Sequence, residues 1–247
     1  MNYIISGQSG FIGQAITNHL LIREQNVVGL PRPCPLSKLN QIFKETNPDY
    51  IIHLASYGNH CQYQRNFNQM VATNITGTYN LLEAASKVDY KIFYNISTSS
   101  VKLKIQTYYS ITKLCGEMLA GLYDRVVNVK PYSVYGPGEG AHRFIPKVIE
   151  CLKTGEQLTI DEKAMHDWIF ISDFIFALFA GETEIGTGIK VSNKEIVKML
   201  QQISGKKLNY KVGQVRTYDN DNWVAKNGVS HISIYEGLKK TYEHFTK

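Results

Sequence analysis

The sequence predicts an α/β protein: a parallel sheet with helices on both faces, followed by a smaller C-terminal lobe. Three observations lead there. Short apolar segments of strand character alternate with amphipathic helical ones through the first half of the chain. A glycine turn, Gly7-Gln8-Ser9-Gly10-Phe11-Ile12-Gly13, stands between the first strand and the first helix. The regular alternation ends after Pro131.

Taken in order, Tyr3 to Ser6 forms a buried strand, and Ala15, Ile16, His19 and Leu20 set a helical period after the glycine turn. Val27 to Leu30 is a second strand, a helix lies around Leu39 to Glu45, and Tyr50 to Leu54 is the next strand. The stretch between Arg32 and Asp49 is too short for the extra strand that a complete dinucleotide-binding sheet carries there. Asn74 to Ser86 is an amphipathic helix, Lys91 to Ile96 a strand, Tyr108 to Tyr123 a helix and Val126 to Lys130 a strand. This is the doubly wound, Rossmann-type pattern. Beyond it, Gly136-Pro137-Gly138-Glu139-Gly140 marks a loop, Phe144 to Lys153 a helix and Trp168 to Ile171 a buried strand. Ser192-x-x-Glu195 and Ser233-x-x-Glu236 have the form of capping boxes that open two further helices. The expected division puts residues 1–132 with 166–184 in the sheet domain, and 133–165 with 185–247 in a small substrate-binding lobe.

Composition narrows the function classes. With 247 residues, 43% hydrophobic and 19% charged, the chain can bury a large core and is not a disordered one. A net charge of +6 and a pI near 9.0 permit an anionic partner. The Lys and Arg residues are scattered rather than striped with aromatics, so a phosphate-bearing small ligand is expected rather than nucleic acid. The four cysteines, Cys34, Cys61, Cys115 and Cys151, form no Cys-x-x-Cys pair, and no His stands at zinc-ligand spacing. A reduced, cytoplasmic protein without a metal site is expected, and no apolar run approaches the roughly 20 residues of a membrane span.

The glycine turn has a physical rationale. Its first Gly permits the tight turn, the next lets backbone N–H groups approach a pyrophosphate, and the third lets helix pack on strand. The turn therefore predicts dinucleotide binding by Gly7, Ser9, Gly10, Phe11, Ile12 and Gly13. An NAD site of this kind carries an acid about 20 residues on, at the ribose 2′-OH. Here the second strand ends Leu30-Pro31-Arg32-Pro33, with no acid. Arg32 suits a 2′-phosphate, so NADP is expected, with NAD as the alternative. Tyr109 and Lys113 stand four apart, one turn of a helix, where a cation lowers the cost of forming a phenolate.

With these signatures in view, the chain resembles the extended short-chain dehydrogenases/reductases of the NAD-dependent epimerase/dehydratase type, most of which act on nucleotide sugars. The likeness runs through GQSGFIG at 7–13, HLAS at 53–56, NITGTYNLLEAAS at 74–86, ISTSSV at 96–101, YSITK at 109–113, KPYSVYGPG at 130–138, HDWIFISD at 166–173 and EGLKKTYEHF at 236–245. It implies a catalytic set of Thr98, Tyr109 and Lys113: Tyr109 exchanges a proton with a sugar oxygen, Thr98 hydrogen-bonds that oxygen, and Lys113 holds the nicotinamide ribose. It further implies cofactor contacts from Leu54, Ala55, Ser56, Asn74, Ile96, Pro131 and Ser133, and substrate contacts from Ser99, Ser100, Tyr132, Arg143 and His166. A homodimer is implied through the helices near 68–87 and 108–123.

Departures from the family pattern sharpen the chemistry. Where sugar 4,6-dehydratases carry Asp and Glu after the catalytic Thr, this chain has Ser99 and Ser100. Val101-Lys102-Leu103 replaces Val-Tyr-Gly, and His166 stands where an arginine is common. What survives is reduction of a 4-keto sugar, C4 epimerisation through a transient ketone, or, outside enzymes, a dinucleotide-binding regulator. His53 and His60 are expected in packed, hydrogen-bonded roles rather than at a metal.

Overall fold

The computed structural model describes residues 1–58, 66–102, 104, 106–213 and 224–247; His60, Cys61 and Leu103 lie outside the described residues. The chain divides into two compact units, Met1–Lys130 and Pro131–Lys247.

In the first unit, β1 (Asn2–Ser6), β2 (Asn26–Gly29), β3 (Tyr50–His53), β4 (Ile92–Ile96) and β5 (Val126–Pro131) pair in the order β2-β1-β3-β4-β5. All four pairings are parallel. Parallel strands need crossovers, and α1 (Phe11–Leu21), α2 (Leu36–Thr46), α4 (Gly77–Ala85) and α5 (Tyr108–Ala120) supply them. Register puts Ile4 beside Ile51 and Ile51 beside Phe93, and these close with Leu39, Phe43, Leu82 and Ala120 into one core. Their neighbours Ile5 and Ile52 are equally buried on the opposite face, which is why these strands are apolar without alternation. β2 is the outer strand, because between it and β3 the chain forms only α2. The shortened sheet is the one expected from the spacing of Arg32 and Asp49.

The helix expected from Asn74 begins earlier. α3 (Phe67–Met70) leads into a π-helical segment, Val71–Thr76, and then into α4. The Gly77 N–H reaches back five residues to the Ala72 carbonyl. Asn74 thus sits in a widened turn, a feature that recurs at functional sites.

The second unit contains β6 (Ser133–Tyr135), β7 (Leu158–Ile160), β8 (Met165–Phe170), β9 (Glu184–Ile185), β10 (Lys190–Ser192) and β11 (Tyr210–Val212), with α6 (Phe144–Thr154), α7 (Ile171–Phe179), α8 (Asn193–Ser204) and α9 (Ile234–Thr246). β8 is the centre of a three-stranded sheet, parallel to β6 and antiparallel to β10. The strand expected at Trp168–Ile171 is shifted: it starts at Met165, and Ile171 already opens α7. α7 is apolar almost all round, so no amphipathic period announced it. Residues 166–184, assigned from sequence to the sheet domain, cluster within this unit. Ser192 and Glu195 form the reciprocal capping box, and Ser233 accepts the Glu236 N–H. The two aspartates of the HDWIFISD stretch are structural. Buried Asp167 accepts the N–H groups of Thr187, Gly188 and Ala225 and the Thr187 hydroxyl, and Asp173 accepts those of His231 and Ile232.

Candidate active site

The glycine turn between β1 and α1 is built to leave donors exposed. Gly7 takes φ +75°, and a Cβ there would lie 2.7 Å from the Ala55 nitrogen, so the turn presses on the end of β3 through Leu54 and Ala55. A Cβ on Gly13 would overlap the Gly7 carbonyl and stand 2.8 Å from Gln8 Cα, so only glycine lets α1 start this close. Gly10 is the N-cap, with no side-chain cap and no acid in the first turn. The first N–H groups of α1 thus have neither a capping side chain nor an acid of their own turn, which fits a pyrophosphate. Ser9 and Gly10 are exposed, and Phe11 and Ile12 are half-buried. Ser56 follows Ala55, also half-buried.

Behind the turn, His53 at the end of β3 organises a buried network. Thr78 donates its one hydroxyl proton to the Asn74 carbonyl at 2.8 Å, so at the 2.9 Å contact His53 Nε2 must be the donor. His53 Nδ1 then accepts from Ser6 Oγ at 2.6 Å, and Ser6 Oγ in turn accepts the Ala55 N–H. The ring is neutral: burial, then the charges of Lys113 and Arg32, lower its pKa to about 3. This is the packed role expected of His53, and it ties the glycine turn to the π-helical segment. The Asn74 side chain accepts the Tyr57 N–H and donates to the Tyr57 carbonyl at 2.9 Å and to Thr112 Oγ1 at 3.0 Å. Thr112 passes its own proton to the Tyr109 carbonyl. Asn74 thus braces the first turn of α5.

Thr98 and Lys113 are both fixed to the end of β4. After Ile96 the chain runs into a single 3-10 turn, Ser99–Lys102, that packs on α5. Half-buried Thr98 accepts the Ser100 N–H at its Oγ1 and donates to Ser100 Oγ, both at 3.2 Å, while Ser99 and Ser100 are buried. Thr107 and Ser110 cap each other's backbone N–H and fix the start of α5. Tyr109 leaves from the first turn, half-buried, and Lys113 follows one turn later. Buried Lys113 donates from Nζ to the Ile96 carbonyl at 2.7 Å, which uses one of three ammonium donors. Burial lowers its pKa to about 8, opposed by the Glu117 carboxylate one turn further on. Glu117 itself pairs with Lys130 at 3.1 Å.

Arg32 is exposed just past β2, and its charge reaches His53. The remaining sequence-predicted residues belong to the second unit. Pro131 is buried; Tyr132 donates its N–H to the Ile185 carbonyl, and Ser133 pairs with Trp168. His166 sits on β8 with its ring edge-on to Trp168, centroids 5.1 Å apart. Arg143 precedes α6, and its Nε donates to buried Glu139 at 3.3 Å. Sequence reading missed Thr78, Thr112 and Thr107. Thr107 has Ser rather than Glu or Gln three residues on, so the capping-box pattern passed over it.

Among the described residues no three His, Cys, Asp or Glu side chains gather as metal ligands, and no helix is long and apolar enough to cross a membrane. Cys34, Cys115 and Cys151 are free thiols.

The model of the NAD dependent epimerase/dehydratase family matches residues 3–184. The chain belongs to this family. Among curated relatives, CDP-abequose synthase of Salmonella typhimurium is 28% identical over 268 residues, covering 88% of this chain and 86% of that one. A dTDP-glucose 4,6-dehydratase of Haemophilus influenzae is 24% identical, covering 95% and 89%. Among solved structures, MoeE5 in complex with UDP-glucuronic acid and NAD superimposes with a TM-score of 0.88 at 24% identity, over 100% of this chain and 99% of that one. That likeness establishes the fold. Membership makes the chain an extended short-chain dehydrogenase/reductase enzyme.

Proposed function

We propose that this enzyme reduces the 4-keto group of a nucleotide-linked sugar with NADPH. One observation carries the reading: after β4 the chain has Thr98, Ser99 and Ser100, and the turn Ser99–Lys102 packs on α5, the helix of Tyr109 and Lys113. Removing water from a sugar needs a further acid and base, and two buried serines supply neither. The set has one proton donor and one cation, which is what ketone reduction requires.

When bound, a reduced nicotinamide would supply the hydride for C4. The chain does the rest. Tyr109 gives its phenolic proton to the carbonyl oxygen as the new C–H bond forms, which leaves an alcohol on the sugar and a phenolate on the enzyme. Thr98 turns its hydroxyl from Ser100 Oγ to hold the oxygen in line, and the Lys113 ammonium, anchored from α5 on the Ile96 carbonyl, stabilises the phenolate and keeps two donors for the ribose. Gly7 to Gly13 would hold the pyrophosphate of the cofactor, and Arg32, in place of an acid, would meet a 2′-phosphate.

Changing Tyr109 to Phe should lower turnover by about 10²–10⁴-fold while leaving cofactor affinity intact. Unchanged turnover would exclude Tyr109 as the acid. Stoichiometry separates the reductase from a C4 epimerase: NADPH oxidation in step with product supports reduction, whereas bound NAD and no net consumption supports epimerisation. Dinucleotide binding without turnover on any sugar nucleotide would point to a regulator.

Assembly and compartment extend the proposal. α5 exposes Tyr108, Ile111, Leu114 and Met118, and Phe67 on α3 and Tyr79 on α4 are exposed as well. Such a cluster supports a homodimer through these helices. The free thiols suit a reducing cytoplasm.

A further inference from the structure

The outer end of the sheet carries a feature that neither the catalytic set nor the pyrophosphate turn explains. Gln8, the second residue of the glycine turn, folds its side chain across β2. A Cβ on Gly29, the last residue of that strand, would fall inside the Gln8 carboxamide, 2.5 Å from Cδ. Glycine at 29 is thus the seat of Gln8. The seat is occupied by a polar group whose hydrogen-bonding capacity is unspent: among the described residues the carboxamide has no hydrogen-bond partner. It is half-buried.

The position matters because the C-terminal end of the second strand is where a dinucleotide fold reads the adenosine ribose, ordinarily with a carboxylate carried by the strand. Here the strand runs Gly29-Leu30-Pro31-Arg32 and offers no acid. We infer that the Gln8 carboxamide, seated on Gly29, is the ribose-reading group of this enzyme and, with Arg32, determines which nicotinamide dinucleotide it accepts. This deepens the NADP reading and rests on it.

The chemistry follows from the amide. A carboxylate accepts hydrogen bonds and repels a phosphate, so it selects a 2′-hydroxyl. An amide brings two N–H donors and one acceptor and carries no charge, so it donates to a 2′-phosphate without opposing it. Arg32, exposed just beyond the strand, adds the cation. Gln8 also belongs to the turn proposed to hold the pyrophosphate, so one short segment would address both the pyrophosphate and the adenosine ribose.

The test measures dissociation constants of the unsubstituted protein and three variants for NADPH and NADH, by quenching of protein fluorescence and without sugar substrate. Gln8→Glu should move the ratio of the two affinities toward NADH by at least about tenfold, because a carboxylate then faces the phosphate. Gln8→Ala should weaken binding of NADPH more than NADH. Gly29→Ala leaves Gln8 chemically intact but evicts its flexible end from the seat, so it should reproduce the effect of Gln8→Ala. Ratios unchanged in all three folded variants, checked by circular dichroism, would overturn the assignment. If Gln8→Glu alone does not fold, Gln8→Ala and Gly29→Ala decide the question. A preference of the unsubstituted protein for NADH would refute the NADP reading separately, since the shift on Gln8→Glu is expected whatever the starting ratio.

Discussion

The Lys113 ammonium is buried at 5% exposure and donates to the Ile96 carbonyl at 2.7 Å, so the cation of α5 is bolted to the strand that leads into Thr98. That arrangement has a cost in stability. The folded pKa, about 8, lies below the ordinary 10.5 of the unfolded chain. Below pH 8 both states hold the proton, and burial of the cation opposes folding in full. Between 8 and 10.5 the folded state releases it first, so this penalty fades as pH rises.

Lys113→Met removes the penalty together with the buried cation. Measured by urea denaturation without cofactor, the unsubstituted protein should gain on the order of 2 kcal/mol relative to Lys113→Met between pH 7 and 9.5. Parallel stability curves over that range would mean that the ammonium is solvated rather than buried.

His53 predicts the acid limb. Its folded pKa, about 3, lies below the ordinary 6.5, so the neutral ring contributes stability that is complete above pH 6.5 and lost as pH falls toward 3. His53→Gln keeps a donor and an acceptor but does not titrate, and its acid limb should be shallower over that window. Nitrogen NMR should find the proton on Nε2 and not on Nδ1, the tautomer fixed by Thr78. A proton on Nδ1 would break the network as drawn.

The sheet, the glycine turn and the Tyr109–Lys113 helix were legible for one reason: each is local in sequence. Apolar runs at Tyr3–Ser6 and Tyr50–Leu54 mark strands, the glycine turn marks its own φ requirement, and Tyr109 and Lys113 share a helix face. The parts that stayed hidden depend on contacts distant along the chain. Asn74 was placed beside the cofactor by resemblance, yet its grip on Tyr57 and Thr112 requires the π-helical turn, which no periodicity signals. Gln8 carries no signal of its own among the glycines, because its seat is Gly29 on the next strand. Asp167 and Asp173 lay in a family motif, but their satisfaction by N–H groups about 20 to 60 residues away appears only in the fold.

Asn74 should therefore matter for stability as well as rate. Asn74→Ala leaves the Tyr57 N–H and carbonyl and the Thr112 hydroxyl without their partner, and the cost should be about 2–4 kcal/mol by chemical denaturation. Asn74→Asp keeps the acceptor for the Tyr57 N–H but aims an oxygen at the Tyr57 carbonyl, so it should recover only part of that loss and lower turnover. Full recovery by Asp would show that the donor side of Asn74 does not brace α5.

The apolar face of the first unit predicts the assembly. Met118 is 68% exposed, and Ile111 and Leu114 precede it at helical spacing of seven and four, so they form one stripe along α5. The exposed Tyr108 ring packs on Phe67 with centroids 4.9 Å apart, which extends the stripe onto α3. A stripe of this kind in water costs about 25 cal/mol for each Å² left uncovered, and a second copy related by a two-fold axis covers it with its own. Met118 makes the sharpest probe because it is so exposed that a lysine there has little to disturb in the fold of a single chain. Light scattering on the unsubstituted protein should give twice the mass of one chain, and Met118→Lys combined with Leu114→Lys should give a folded monomer, because two buried charges per chain would face their symmetry mates across the axis. A single-chain mass for the unsubstituted protein at micromolar concentration, or a dimer that survives both lysines, would rule out this face as the interface.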